Sequence, residues 1–361
     1  MTDFAPTPGM EFEAPIVELE NKISELQAFT ESTDVDLSGQ LDEMRRKCDE
    51  KTRAIYSHLT PWQKVQIARH PQRPMLTDYL KLMVTDFMEL HGDRAYRDDP
   101  AIMTGFGRIG NQRFLLVGHR KGKSTREKVE CNFGCANPEG YRKAILKMKM
   151  ADKFGIPIVT FINTPGAYPG IGAEERGQAF VIAANLQEMA AVRVPIVCVV
   201  IGEGGSGGAL GIGVGDRILM LENSYYSVIS PEGCAAILWK DAAHAPRAAE
   251  ILKLTSEDLL RFKIIDEVVP EPLGGAHRNH GATARSLEET ILRNYEMVRD
   301  LDPETRLEQR FQKFKAMGFY RESSLEVATA DAETSSETAT DGAEKKSKKV
   351  KKNKKKAESG S

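Results

Sequence analysis

The chain has 361 residues, room for one large domain or two small ones, and 41% are hydrophobic, which supports a sizeable core and excludes a disordered chain. The formal net charge of −2 hides a segregation: residues 345–361 hold nine lysines and one glutamate, residues 321–344 seven acids and one arginine. The body is therefore mildly acidic, which argues against a nucleic-acid-binding domain. The acidic, proline-bearing start lacks an apolar h-region, and the longest apolar run, Val194–Ile201, is far too short to span a membrane. Five scattered cysteines make no disulfide framework, so a reduced, cytoplasmic protein is expected.

In chain order, residues 13–59 read as two helices. Ile16, Leu19, Ile23 and Leu26 recur at helical spacing, and a second helix opening at Ser38 or Gly39 carries Leu41, Met44, Ile55 and Leu59. Residues 1–59 are thus an N-terminal helical segment. Thr60-Pro61 supplies an N-cap with proline at the first helical position, and His70–Pro74 (HPQRP) ends that short helix. The spacing predicts helix again over Leu76–Leu90, stopping at Gly92. From Ala101 the texture is α/β. A strand is predicted at Arg113–Gly118, a helix at Pro138–Phe154, and a buried parallel strand at the β-branched run Pro157–Ile162. One long helix follows over Glu174–Val192, then a second buried strand at Pro195–Ile201 and a short helix from about Gly205. Strands are predicted at Arg217–Leu221 and Tyr226–Ile229, and helices from Ala245 to about Phe262 and from Ser286 to about Met317. Residues 60–320 form the main domain. Beyond Arg321 the composition cannot bury enough apolar area to offset chain entropy, so 321–361 is expected to be a disordered tail.

Two strand ends run into glycines, in NTPGAYPGIGAEERGQ (Asn163–Gln178) and IGEGGSGGALGIGVGD (Ile201–Asp216). The second string satisfies two motif patterns. Gly202, Gly204 and Gly207 fit the dinucleotide-binding G-x-G-x-x-G, with Glu222 twenty residues on. Against that, the next helix is cut by Gly211, Gly213 and Gly215, and Glu203 would face a pyrophosphate with the wrong charge. Ser206 fits the G-x-S-x-G nucleophile elbow, with Asp216 or Asp241 and then His244 or His277 in serine-hydrolase order. A third reading uses backbone: a strand that ends in glycines and feeds a helix leaves N–H groups unpaired and converging, the arrangement that stabilises a developing oxyanion. Close packing alone explains one glycine well, but not those at 202, 204, 205, 207 and 208 together.

Other polar candidates are less specific. His119, Glu174 and Glu175 lie near these strands, where a helix start or a solvated face accounts for them as well. Cys131 and Cys135 lack the further ligands a tetrahedral zinc needs. Arg120, Lys121, Lys123, Arg126 and Lys128 form a basic cluster suited to anionic phosphates, or simply to water.

Besides the two glycine strings, the stretches IARHPQRP (Ile67–Pro74), HGDRAYRDD (His91–Asp99), NPEGYRKA (Asn137–Ala144), SVISPEGCAAILWK (Ser227–Lys240) and PEPLGGAHRN (Pro270–Asn279) occur in this order. From about Ala14 to Tyr320 the sequence closely resembles the carboxyltransferase alpha family of acetyl-CoA carboxylases. The resemblance implies a crotonase-like α/β fold of stacked ββα units. It implies transfer of CO₂ from carboxybiotin, held on a biotin carboxyl carrier protein, to acetyl-CoA, giving malonyl-CoA for fatty acid synthesis. Activity would require a zinc-ribbon-bearing beta subunit, as alpha2-beta2, working beside biotin carboxylase, with no metal in this chain. The same resemblance puts an oxyanion hole for the biotin ureido oxygen at the amides of Gly207 and Gly208. Gly204 and Gly205 would shape that turn, and Gly166, Ala167 and Tyr168 would line the same cleft. A non-catalytic partner of a catalytic beta subunit is a further reading. Two departures stand out: Asn163, where the family has Asp, which argues against an essential carboxylate there, and the tail.

Overall fold

In the computed structural model, residues 10–33 and 36–318 are described; the tail expected from 321 lies outside them. The N-terminal helices are α1 (Ala14–Ser32) and α2 (Ser38–Tyr56), packed through Ile16, Ile23, Leu41 and Cys48. α3 (Pro61–Ala68) opens on a capping box in which Thr60 and Gln63 satisfy each other's amides. Next come α4 (Leu76–Met83), β1 (Val84–Glu89), β2 (Ile102–Ile109), β3 (Gln112–His119), α5 (Thr125–Glu130) and α6 (Pro138–Lys153). The centre of the chain holds β4 (Ile158–Thr164), α7 (Ile171–Glu175), α8 (Gln178–Ala191), β5 (Ile196–Gly205), α9 (Ser206–Leu210), β6 (Arg217–Leu221) and β7 (Tyr225–Ser227). Then follow α10 (Pro231–Trp239), α11 (Ala245–Leu252), α12 (Ser256–Arg261), β8 (Glu267–Val269), α13 (His280–Arg299) and α14 (Pro303–Lys315).

The strands form one sheet in the order β1-β2-β3-β4-β5-β6-β8, antiparallel at β1-β2-β3 and parallel from β3 onward, with β7 added to β5. Side-chain alternation sorts the core into two layers. Ile196, Cys198 and Val200 face Tyr141, Met148 and Met189 of α6 and α8; Val197, Val199 and Ile201 face Leu76, Tyr79, Leu287 and Ile291 of α4 and α13. Burial on both faces is why these strands read as unbroken apolar runs.

β5 changes neighbours along its length. Val197–Val200 pair with β6, whereas Glu203–Gly205 pair with β7. Toward β4 the register slips: Ile162 pairs with Val200 but Thr164 with Gly204, a bulge that gives β5 two extra residues there.

Several boundaries differ from expectation. The helix predicted over Leu76–Leu90 ends at Met83, and β1 follows because Val84–Glu89 find a partner strand in β2. The long helix from Glu174 is two, parted at Gly177 with φ 81°, and the one from Ala245 is broken at Lys253. The last predicted helix starts earlier, at His280, and restarts at Pro303 behind the Asp302 cap. β5 runs through Gly205, further than the predicted end at Ile201, because β7 pairs with it there. β2 and α10 were not anticipated.

Candidate active site

The two glycine strings meet at the C-terminal ends of β4 and β5. After β4, the Thr164 hydroxyl accepts the Gly166 amide at 3.1 Å and donates to its carbonyl at 2.7 Å, closing a tight turn. The Tyr168 amide donates to the Ala136 carbonyl, and Gln178 Nε2 spans the Ala136 and Tyr168 carbonyls. This pins the Gly166–Tyr168 loop to Ala136 and to the start of α8. A Cβ added to Gly208 would lie 2.4 Å from the Gly166 carbonyl carbon and 2.5 Å from the Ala167 nitrogen, so only glycine fits. Gly205 is equally tight, 2.1 Å from the Pro165 oxygen, and Gly204 abuts the Tyr226 ring. Gly207 alone has room: its nearest neighbour is Ile182 at 3.7 Å, an ordinary contact. A Cβ at 207 would therefore meet only the Ile182 side chain, without striking the backbone.

Ser206 starts α9 with φ 52°, and no side chain caps the helix. In the first turn, Gly207 and Gly208 have no intrahelical acceptor for their N–H groups. Among the described residues, no other backbone carbonyl accepts them, nor the amide of Ala167. The sequence-predicted residues Gly166, Ala167, Gly207 and Gly208 are thus brought together, with Tyr168 half exposed beside them.

A buried charge cluster lies beneath the turn. Glu203, 5% exposed, accepts hydrogen bonds from Arg69 Nε (2.7 Å), the Tyr225 hydroxyl (2.7 Å) and Lys121 Nζ. Burial pushes its carboxyl up, but the Lys121 and Arg69 charges override this and hold it at about 2. Glu203 is therefore turned inward rather than toward a ligand. The bulge leaves two β5 backbone groups without ladder partners, and side chains take their place. Asn163 Oδ1 accepts the Glu203 amide (3.1 Å), and Arg73 Nε donates to the Ile201 carbonyl (2.9 Å). An Asp at 163 would offer the same acceptor oxygen, so the position needs an acceptor rather than a charge. His119, 1% exposed at the end of β3, is held down to about 3 by burial, against a weak opposite pull from the Gly208 and Phe161 backbone.

The hydrolase partners are scattered. Asp216 is locked to Arg310 at 2.8 Å and caps the Ile196 amide; Asp241 caps Ala243. His244 packs on Trp239 and His277 on His70. Among the described residues none hydrogen-bonds Ser206, so the nucleophile reading has no base. The dinucleotide reading fails too: Glu203–Gly205 are strand, α9 has five residues, and Glu222 accepts the Glu271 amide.

Three members of the basic cluster stay together, each beside an acid. Lys121 joins Glu203, Lys123 pairs with Asp78, and Arg120 approaches Glu127 at 3.6 Å. With Lys81 these three line a cavity of about 240 Å³. Glu174 and Glu175 face solvent, while neighbouring Arg176 bonds buried Glu139. Burial raises both the Cys131 and the Cys135 thiol. Glu13, His70 and His277 offer potential metal-ligand atoms within 4.8 Å of one another. Yet the two rings stack at an angle of 29°, so their lone pairs run side by side, and Glu13 already accepts the Tyr56 hydroxyl at 2.6 Å. His277 Nε2 lies 3.4 Å from Glu13 Oε1 but off-line for a hydrogen bond. Sequence reasoning missed Arg69, Arg73 and Tyr225 as supports of the turn; the IARHPQRP string that carries two of them was the available signal.

The fold is shared with a transcarboxylase 12S core solved with methylmalonyl-coenzyme A (TM-score 0.50, 17% identity, 71% of this chain and 44% of that one). It is also shared with a Pseudomonas malonate decarboxylase hetero-tetramer in complex with coenzyme A (TM-score 0.50, 11% identity, 59% of this chain and 85% of that one). These likenesses define a crotonase-like architecture. The chain belongs to the acetyl co-enzyme A carboxylase carboxyltransferase-like family, whose model matches residues 9–318. Among curated relatives, the acetyl-coenzyme A carboxylase carboxyl transferase subunit alpha of Syntrophotalea carbinolica is 53% identical over 87% of this chain and 99% of its own length. The Thermus thermophilus protein of the same name is 50% identical over 87% and 99%.

Proposed function

We propose that the chain is the alpha half of an acetyl-CoA carboxyltransferase, which with a beta subunit moves CO₂ from carboxybiotin on a carrier protein to acetyl-CoA. The observation that carries this is the cradle at α9: uncapped amides of Gly207 and Gly208, packed directly on the Gly166–Ala167 turn, whose backbone a Cβ on Gly208 would strike. Carboxybiotin, when bound, supplies an activated carboxyl group and a ureido oxygen that gains negative charge as the carboxyl departs. The Gly207 and Gly208 amides are assigned to that oxygen. α9 is too short for its dipole to add much, so the donors act as local, preorganised N–H groups. Gly204 and Gly205 let β5 pass close to Tyr226 and Pro165, and Gly166, Ala167 and Tyr168 form the facing wall. His119 is neutral and enclosed, and Glu203 is tied to three donors, so the base that deprotonates acetyl-CoA is not drawn from these two.

The test is a carboxyl-transfer assay on the complex reconstituted with a beta subunit. Gly207→Pro removes an N–H where an added Cβ meets nothing closer than Ile182 at 3.7 Å, and should lower turnover by about 10²–10³ in a complex that still assembles. Ser206→Ala leaves every backbone donor in place and should keep most of the activity. An inactive Ser206→Ala in an intact complex would reinstate the nucleophile. Full activity of Gly207→Pro would leave the chain a structural partner only.

A further inference from the structure

The five residues of α9 are too few to orient themselves, since a helix of one turn is unstable on its own. Something else must aim the Gly207 and Gly208 amides. The structure assigns that task to Tyr141 of α6 and Asn185 of α8, as positioning residues rather than catalytic ones. The inference rests on the oxyanion reading above.

Both side chains are fully enclosed, at 0% exposure. The Tyr141 hydroxyl donates to the Gly208 carbonyl at 3.2 Å. Asn185 Nδ2 donates to the Gly211 carbonyl at 2.9 Å and to the Tyr141 carbonyl at 3.0 Å. The Gly211 amide in turn donates to the Gly207 carbonyl at 2.9 Å. The carbonyls of Gly207, Gly208 and Gly211 are thus each engaged at the inner end of α9. In a helix the N–H groups point opposite to the carbonyls, so restraining the inner ends aims the outer amides. The Tyr141 ring adds a steric stop: a Cβ on Gly211 would lie 2.6 Å from it, so ring and backbone are in direct contact. Tyr141 is the tyrosine of NPEGYRKA, a string that the cradle itself leaves without a role.

Two measurements on the reconstituted complex test this, with Tyr141→Phe, Asn185→Ser and, as reference, Gly207→Pro. Tyr141→Phe keeps the ring and its packing and deletes one buried hydrogen bond. Amide exchange across residues 205–211 should accelerate roughly tenfold, with strands β4 and β5 unchanged. Turnover should fall about tenfold while KM for acetyl-CoA stays within about twofold, because misaimed donors weaken transition-state contacts and not acyl-CoA binding. Asn185→Ser, which can no longer span both carbonyls, should reproduce the pattern. Unchanged exchange in both variants would overturn the assignment. So would faster exchange with wild-type turnover, given an inactive Gly207→Pro. If Gly207→Pro is itself active, the oxyanion reading has failed, and the exchange data alone decide whether Tyr141 and Asn185 hold α9.

Discussion

At the scale of single residues, the ground beneath the glycine turn is built from groups locked in one protonation state. His119 is neutral in the fold, its value held near 3 by burial against 6.5 in the unfolded chain. Between these values the unfolded state binds a proton that the folded state refuses, so stability rises with pH across that window. Lowering the pH from 7.5 to 5.5 should cost about 1.4 kcal/mol through His119 alone. His70, held near 4, should add a similar amount. Urea midpoints at the two pH values check this: His119→Gln should show a visibly smaller drop than the parent chain, and an identical drop would refute a neutral His119. Glu203 works with the same sign in a lower pH window, since its folded value also lies below its unfolded one. Its contribution is present above about 4.5 and lost only as pH falls toward 2. The residues of the cradle were legible in the sequence because glycine carries its backbone meaning with it. Glu203 was not: its charge reads as outward-facing until Arg69, distant in sequence, is seen to cover it.

At the scale of elements, the bulge in β5 is what carries the glycines past β4 into the turn, and it depends on side chains from elsewhere to satisfy its backbone. Arg73 is one of them, 3% exposed and paired with fully enclosed Glu271 at 2.5 Å. Arg73→Met would strand a buried carboxylate, which typically costs about 3–5 kcal/mol. Arg73→Met combined with Glu271→Gln should recover part of the loss, since no net charge is then left inside; a double variant no more stable than the single one would contradict this account. The strands at 158–164 and 196–205 were readable as continuous β-branched runs. The bulge was not, because a register slip is a property of two strands together. β1 was hidden for a similar reason: Val84–Glu89 have a helix-compatible pattern, and only the β2 edge makes them strand.

At the scale of the molecule, α7, α8 and α9 present an apolar surface near the cradle, with Ile171 77%, Phe180 80% and Leu210 39% exposed. A cradle open on this side fits a chain that is half of a larger site. Purified alone, it should show no malonyl-CoA decarboxylation, and it should gain activity when assembled with a beta subunit as alpha2-beta2; robust activity of the single chain would refute this. The segregated charge of residues 321–361 plays no part in the proposed chemistry. Truncation before Glu322 should leave turnover of the assembled enzyme within about twofold, and a larger loss in an intact complex would tie the tail to the reaction.

The change of neighbours along β5 has a consequence for how the gene can vary in length. The ten residues from Ile196 to Gly205 act as a ruler, anchored at one end by the Asp216 cap on Ile196 and at the other by the ladder to β7. Deleting one residue within Ile196–Val200 would exchange the two faces of the strand, sending side chains meant for α6 and α8 toward α4 and α13. It would also draw Glu203 away from Lys121 and Arg69 and pull α9 off its supports. An insertion in the exposed α10–α11 connection, residues 240–244, would be absorbed by the surface. Viable length variants should therefore cluster in such connections and be missing from this strand.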